Sequence, residues 1–126
     1  KLNAMKINTK MPVKLIPYYQ SELSNAKVSF QNNELAVSWY HLERAHVLAQ
    51  PYPIEHTAVH WQMLLFGIKI KDTKEVIGQI PRLLVGGVKS FVGKIPVGNT
   101  GGANVPPLKV MEIPNDLKQI INNTKN

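Results

Sequence analysis

The chain has 126 residues, no cysteine and a formal net charge of +7, and its residues are 44% hydrophobic and 18% charged. This length fits one domain with a single core, and this composition excludes wholesale disorder. Without cysteine, disulfide frameworks, cysteine-based zinc fingers and cysteine nucleophiles are excluded, so a metal site must use nitrogen, oxygen or methionine sulfur. The basic residues are scattered and form no recognisable nucleic-acid-binding motif, so we expect no nucleic-acid partner.

The N-terminal segment, residues 1–11, is polar and is expected to be disordered or tag-derived, with Met5 as the native start. No apolar stretch reaches the ~20 residues that a membrane span needs, and no signal-peptide pattern follows the first lysine. We therefore expect a cytoplasmic protein without a membrane span.

Hydrophobic periodicity predicts four main helices, at about residues 16–31, 34–50, 54–70 and 73–91. Asn33 is the predicted N-cap of the second helix, and Pro51 and Pro53 should end that helix because proline lacks the backbone donor. Asp72-x-x-Glu75 resembles a capping box at the start of the fourth helix, and Pro81 should kink that helix.

The third helix carries two apolar stripes on different sides. The first stripe comprises Ile54, Ala58, Trp61, Leu65 and Ile68, and the second comprises Val59, Met63, Phe66 and Ile70. A helix that is apolar on two sides is expected to lie between neighbours.

The remaining chain, after about residue 92, is rich in glycine and proline. Residues 93–114 are predicted to form a long loop, followed by a short helix at 115–122. We expect Gly98–Val105 to pack back on the helices near His56 and His60, because apolar residues anchor both ends of this segment. The predicted fold is a single all-α domain, either a four-helix bundle or a short tetratricopeptide-like stack of helical hairpins.

All four histidines lie at positions 41–60. Glu43 stands three residues before His46, the Glu-x-x-His spacing of metal sites in helical bundles, and His56-x-x-x-His60 places two imidazoles on one helix face. Antiparallel packing around the break at 51–53 sets His46 between the levels of His56 and His60. The predicted metal ligands are therefore Glu43, His46, His56 and His60, which suit Zn, Cu or another transition metal.

A competing interpretation uses the same residues without a metal. The stripe through Ile54 and Trp61 competes with the histidine side of the third helix for the contact with the second helix. His46 would then hydrogen-bond within the core, while His56 and His60 would form a polar seam under the terminal loop.

Four segments together carry a resemblance to a known family: Trp39–Gln50, His56–His60, Glu75–Gln79 and Gly98–Val105. From about residue 15 to residue 120 the chain resembles a small bacterial family known as domain of unknown function 3703. The resemblance implies a short cytoplasmic bacterial protein, with some relatives encoded near mobile or heavy-metal-resistance genes. It implies no established activity and no agreed catalytic residues.

Two function classes follow. The first is a metal-binding protein for metal homeostasis or resistance. The second is a tetratricopeptide-like interaction module that binds a protein partner or a second copy, suggested by Trp39, Tyr40 and the second apolar side of the third helix. No reaction is indicated: Gly98–Gly102 lacks the Lys-Ser/Thr ending of a phosphate loop, and no nucleophile motif or dinucleotide fingerprint occurs.

Overall fold

The computed structural model of the chain describes residues 10–85, 99–105 and 110–125. Within this part the chain forms five α-helices and no strand, which confirms the all-α prediction. The helices are α1 (Ile16–Gln31), α2 (Leu35–Ala49), α3 (Pro53–Ile70), α4 (Thr73–Val85) and α5 (Asn115–Asn123). Three predicted segments lie wholly or partly outside the described residues: residues 1–9 of the N-terminal segment 1–11, the continuation of the fourth helix over 86–91, and residues 93–98 and 106–109 of the loop.

The helices pack in the manner of a bundle, with α1 against α2, α2 against α3 and α3 against α4. The stripe predicted for α1 contributes to the core, because Tyr19 and Ala26 are buried and Leu23 and Phe30 pack against the buried cluster. Met11 is also buried there. None of the helices in the described part of the chain is both long and apolar enough to cross a bilayer.

The helix ends explain the tight connections. Asn33 does not cap α2 as predicted; its φ of 61° places it in the left-handed region, where it ends α1, and α2 begins at Leu35 without a side-chain cap. Lys71 ends α3 in the same way, with φ 60°. The predicted start of α4 is confirmed, because Asp72 Oδ1 accepts the backbone N–H of Glu75 at 3.1 Å. This helix continues through Pro81.

The last helix, α5, is attached to α2. Leu117 is fully buried, and Arg44 of α2 forms ion pairs with Asp116 at 2.5 Å and with Glu22 of α1 at 2.9 Å. Arg44 therefore joins α1, α2 and α5.

The two apolar stripes of α3 differ in burial. Val59 and Met63 of the second stripe are fully buried, whereas Ile54 and Trp61 of the first are 74% and 50% exposed. As expected, α3 lies between neighbours, α2 and α4, but its first stripe remains exposed in the described part of the chain.

Candidate metal centre

The turn between α2 and α3 brings three histidines together. Pro51 and Pro53 end α2 and begin α3, and the N–H of Tyr52 bonds to the carbonyl of Ala49 at 2.8 Å, which reverses the chain tightly. The histidine side of α3 therefore faces α2, as the antiparallel packing requires. His46, His56 and His60 are 1%, 1% and 2% exposed.

The three imidazoles converge through one atom each. The Nε2 atom of His46 lies 2.8 Å from that of His56 and 3.0 Å from that of His60, and the last pair of Nε2 atoms is 3.2 Å apart. Nitrogens bound to one tetrahedral zinc at ~2.0–2.1 Å lie about 3.3 Å apart. A small outward shift would thus give each nitrogen a bonding distance to a shared ion.

Hydrogen bonds on the opposite edges of two rings fix their tautomers. His46 Nδ1 is 2.6 Å from the carbonyl oxygen of Asn99, which can only accept, so this nitrogen carries the proton. His60 Nδ1 is 2.6 Å from Gln79 Oε1. The Gln79 amide is oriented by its NH₂ group, which donates to the carbonyl of Gly101 at 2.8 Å and to the carboxylate of Glu75.

With the Nδ1 atom donating, a neutral ring of His46 or His60 presents the lone pair of its Nε2 atom to the middle of the cluster. A cation bound by all three Nε2 atoms would use these lone pairs. The Nδ1–H bonds of His46 and His60 match the outer hydrogen bonds that orient metal-ligating histidines.

A segment of the C-terminal loop closes over the centre. The carbonyls of Asn99 and Gly101 accept the bonds described above, and the N–H of Ala103 donates to the Glu75 carboxylate at 3.1–3.2 Å. Gly101 has φ +86°, and a Cβ there would lie 2.5 Å from His46 Cδ2. The predicted packing of this loop near the histidines is confirmed for residues 99–105.

The fourth predicted ligand, Glu43, is not brought into this cluster. In the described part of the chain, the group whose ligand atoms lie within 4.8 Å of one another comprises the three buried histidines. The Glu43 carboxylate instead accepts the indole N–H of Trp39 at 3.2 Å. The pKa of Glu43 is raised above its ordinary value, mainly because the carboxylate is partly buried. The hydrogen bond from Trp39 lowers this pKa, and the negative charge of Glu75 raises it.

The remaining histidine, His41, lies apart from the cluster. Its Nδ1 is 2.8 Å from a carboxylate oxygen of Glu22, which is on α1, and its side chain is 20% exposed. It therefore provides an internal comparison for the three buried histidines.

Two side chains that the sequence reasoning did not assign to the site are Gln79 and Glu75. Their spacing of four residues places them on one face of α4, but only the packing of α4 against α3 brings Gln79 to His60. Sequence periodicity alone gives no signal for that contact.

No curated protein and no solved structure matches the chain. A family model does match, and it covers residues 13–121, which is most of the chain. The chain therefore belongs to the family described as "Protein of unknown function (DUF3703)".

Proposed function

We propose that this chain binds one transition-metal ion through the Nε2 atoms of His46, His56 and His60, and that this binding serves metal homeostasis or resistance in the cytoplasm. The observation that carries the proposal is the convergence of three buried Nε2 atoms at 2.8–3.2 Å, two of them on rings whose Nδ1 atoms donate to fixed acceptors.

The donor set selects the class of metal. Three neutral imidazoles are ligands for borderline ions such as Zn²⁺ and Cu²⁺, whereas Mg²⁺ and Ca²⁺ require oxygen ligands. The site also lacks thiolates, because the chain contains no cysteine. Met63 is fully buried on the same side of α3, and its sulfur lies 3.6 Å from Gln79 Nε2, so a thioether is near the centre for a softer ion.

Calorimetric titration with Zn²⁺ and Cu²⁺, after removal of any affinity tag, tests the proposal. We expect one ion per chain. His56→Ala and His60→Ala should each weaken binding more than about 100-fold, because a lost ligand costs more than the 10–100-fold of a lost outer partner. His41→Ala is the matched control, since His41 bonds Glu22 and lies outside the cluster.

Folding of the variants is checked by circular dichroism. Absence of binding in the folded wild-type chain, or an equal loss in His41→Ala, would contradict the proposal. Co²⁺ provides a spectroscopic probe, because its visible absorption is intense in tetrahedral coordination.

Metal titration of the Glu43→Gln variant tests whether Glu43 is a fourth ligand, as the Glu-x-x-His spacing predicts. Since its carboxylate is bonded to Trp39, we expect the variant to retain metal affinity within about tenfold, the smallest loss that an outer-shell partner gives. A loss comparable to that of His56→Ala would place Glu43 among the ligands.

A further inference from the structure

An apolar stripe along α3 lies on the surface. Ile54, Trp61 and Ile68 are 74%, 50% and 53% exposed, Ala58 is exposed, and Leu65 is half-buried. The stripe extends over four turns of helix, or ~21 Å. Isolated exposed apolar residues are ordinary, but a continuous stripe on one helix marks an interaction surface.

The spacing of this stripe is that of a coiled-coil seam. Its residues alternate steps of four and three, and Ile54, Trp61 and Ile68 are seven residues apart. A strict seven-residue repeat of this kind presents a narrow apolar line to another helix rather than a broad face to a sheet. The partner that this surface fits is therefore a helix.

A second seven-residue series borders the stripe on one side. Glu55 stands in the first turn of α3, Gln62 near its centre and Lys69 in its last turn. Neither Glu55 nor Lys69 forms an ion pair within the described part of the chain. Glu55 is half-buried, with one carboxylate oxygen buried, whereas Lys69 is exposed and its ammonium lies 5.2 Å from the centre of the Phe30 ring.

These two series make the surface complementary to itself. When two identical helices pack antiparallel, a flank of one helix faces the same flank of the other, in reversed order. Glu55 of one copy then lies near the level of Lys69 of the second copy, twice by symmetry, and Gln62 meets Gln62. In a parallel pair the Glu55 flank would face the opposite flank, where Thr57 and Leu64 lie.

We propose that α3 mediates a symmetric antiparallel dimer of this chain, with Trp61 at the two-fold axis. The two helix dipoles are antiparallel in this arrangement, and their interaction contributes favourably to the free energy of association. The mixed charges along the flank favour a protein surface over a lipid surface, for which a polybasic border is typical.

The first experiment measures association of the full chain by sedimentation equilibrium. We expect a monomer–dimer equilibrium, and Trp61→Ser should raise the dimer Kd at least tenfold, as roughly expected for a central aromatic anchor. Ile77→Ser is the matched control: Ile77 is 63% exposed but belongs to α4 and not to the stripe, so this substitution should leave the Kd unchanged. A wild-type monomer at all concentrations, or equal effects of both substitutions, would overturn the proposal.

The second experiment exchanges charges. Glu55→Lys and Lys69→Glu should each raise the dimer Kd by roughly fivefold, as expected for charge pairs at the edge of an interface. The double variant should recover the wild-type value, because both pairs are re-formed in reverse. Failure of the double variant to recover would refute the antiparallel register.

Because the chain contains no cysteine, single cysteines report the orientation directly. A mixture of Glu55→Cys and Lys69→Cys chains should form a mixed disulfide under mild oxidation, whereas either variant alone should not, since its two thiols would lie at opposite ends of the paired helices. Val28→Cys, an exposed position on α1, is the control. Cross-linking of Glu55→Cys with itself would establish a parallel pair and overturn the proposal. Flotation of a monomer with anionic phosphatidylserine vesicles would assign the stripe to lipid and would also overturn it.

Discussion

Gly101→Ala should weaken metal binding through the ring of His46. The added Cβ would lie 2.5 Å from His46 Cδ2 and 2.7 Å from both Cγ and Nε2, distances at which the ring or the loop must move. The backbone conformation adds a cost, because φ is +86° and a left-handed conformation costs an alanine roughly 1–2 kcal/mol.

The expected loss of metal affinity in Gly101→Ala follows from the contacts that the loop makes. Moving residue 101 outward stretches the 2.6 Å bond from His46 Nδ1 to the Asn99 carbonyl, a bond that contributes about 0.5–1.5 kcal/mol. Loss of such an outer partner lowers metal affinity by about 10–100-fold. We therefore expect a 10–100-fold weaker Zn²⁺ complex, measured by competition with a chromophoric chelator.

Gly102→Ala is the matched control for this substitution. A Cβ there would meet the side chain of Asn104 at 2.8 Å and Trp39 at 3.3 Å, but no atom of His46. The Asn104 side chain is exposed and can move, so metal affinity should change little. Wild-type affinity in Gly101→Ala, or an equal loss in Gly102→Ala, would refute the reasoning that the loop positions His46.

Three further predictions test the surroundings of the centre and the fold. Gln79→Leu removes the acceptor from His60 Nδ1, so chelator competition should show about 10–100-fold weaker Zn²⁺ binding with the helical circular dichroism retained; unchanged affinity would argue against an outer ligand role. The hydrogen bond from Arg44 lowers the pKa of Asp116 below its ordinary 3.8. The stabilisation of the folded state by this ion pair is therefore complete above that value, and it is lost as the pH falls through the lower pKa of the folded state. Denaturation of Asp116→Asn should accordingly show a free energy of unfolding that is lower by less than about 1 kcal/mol at neutral pH, because Asp116 is largely exposed, and this difference should shrink in acid. A difference that does not depend on pH would contradict this account. Pro81→Ala should raise the melting temperature, because proline inside α4 removes a backbone donor and its replacement regains up to about 3 kcal/mol; a lower melting temperature would show that Pro81 supports the fold.

The sequence predicted the helices closely because periodicity and stop signals agree in this chain. Proline at 51 and 53 and the Asp72 cap lie where helices end or begin, and a short break forces α2 and α3 to pack antiparallel. The same break places His46 beside His56 and His60. For these elements local chemistry was sufficient.

The sequence left open which face of α3 is buried against α2. Periodicity identifies an apolar face but does not state which neighbour covers it. The stripe through Trp61 is more apolar than the histidine side of α3, yet it is exposed while the histidines are buried. The rings of His46 and His60 donate hydrogen bonds to oxygens of Asn99 and Gln79, which are distant in the sequence, and these bonds permit the burial of both rings.

The prediction that Glu43 is a fourth ligand rests on the same kind of local pattern. Glu-x-x-His places the two side chains about 60° apart on a helix, which allows but does not require a shared site. Here Trp39, one turn earlier, donates its indole N–H to the carboxylate, and the Nε2 atom of His46 lies with those of His56 and His60 instead. Local spacing left both arrangements open.

Burial of the centre bears on whether the proposed metal would be held or used in catalysis. A catalytic metal keeps a coordination position that a substrate can reach, whereas a retained metal is closed off by the protein. His46, His56 and His60 are each at most 2% exposed, and the loop at 99–103 bonds across them to α2 and α4. This arrangement favours retention, and an ion would have to enter by displacement of the loop. The loop carbonyls accept hydrogen bonds from His46 directly and from Gln79, which bonds His60. Binding of the proposed ion and docking of residues 99–103 would therefore stabilise each other by the same free energy.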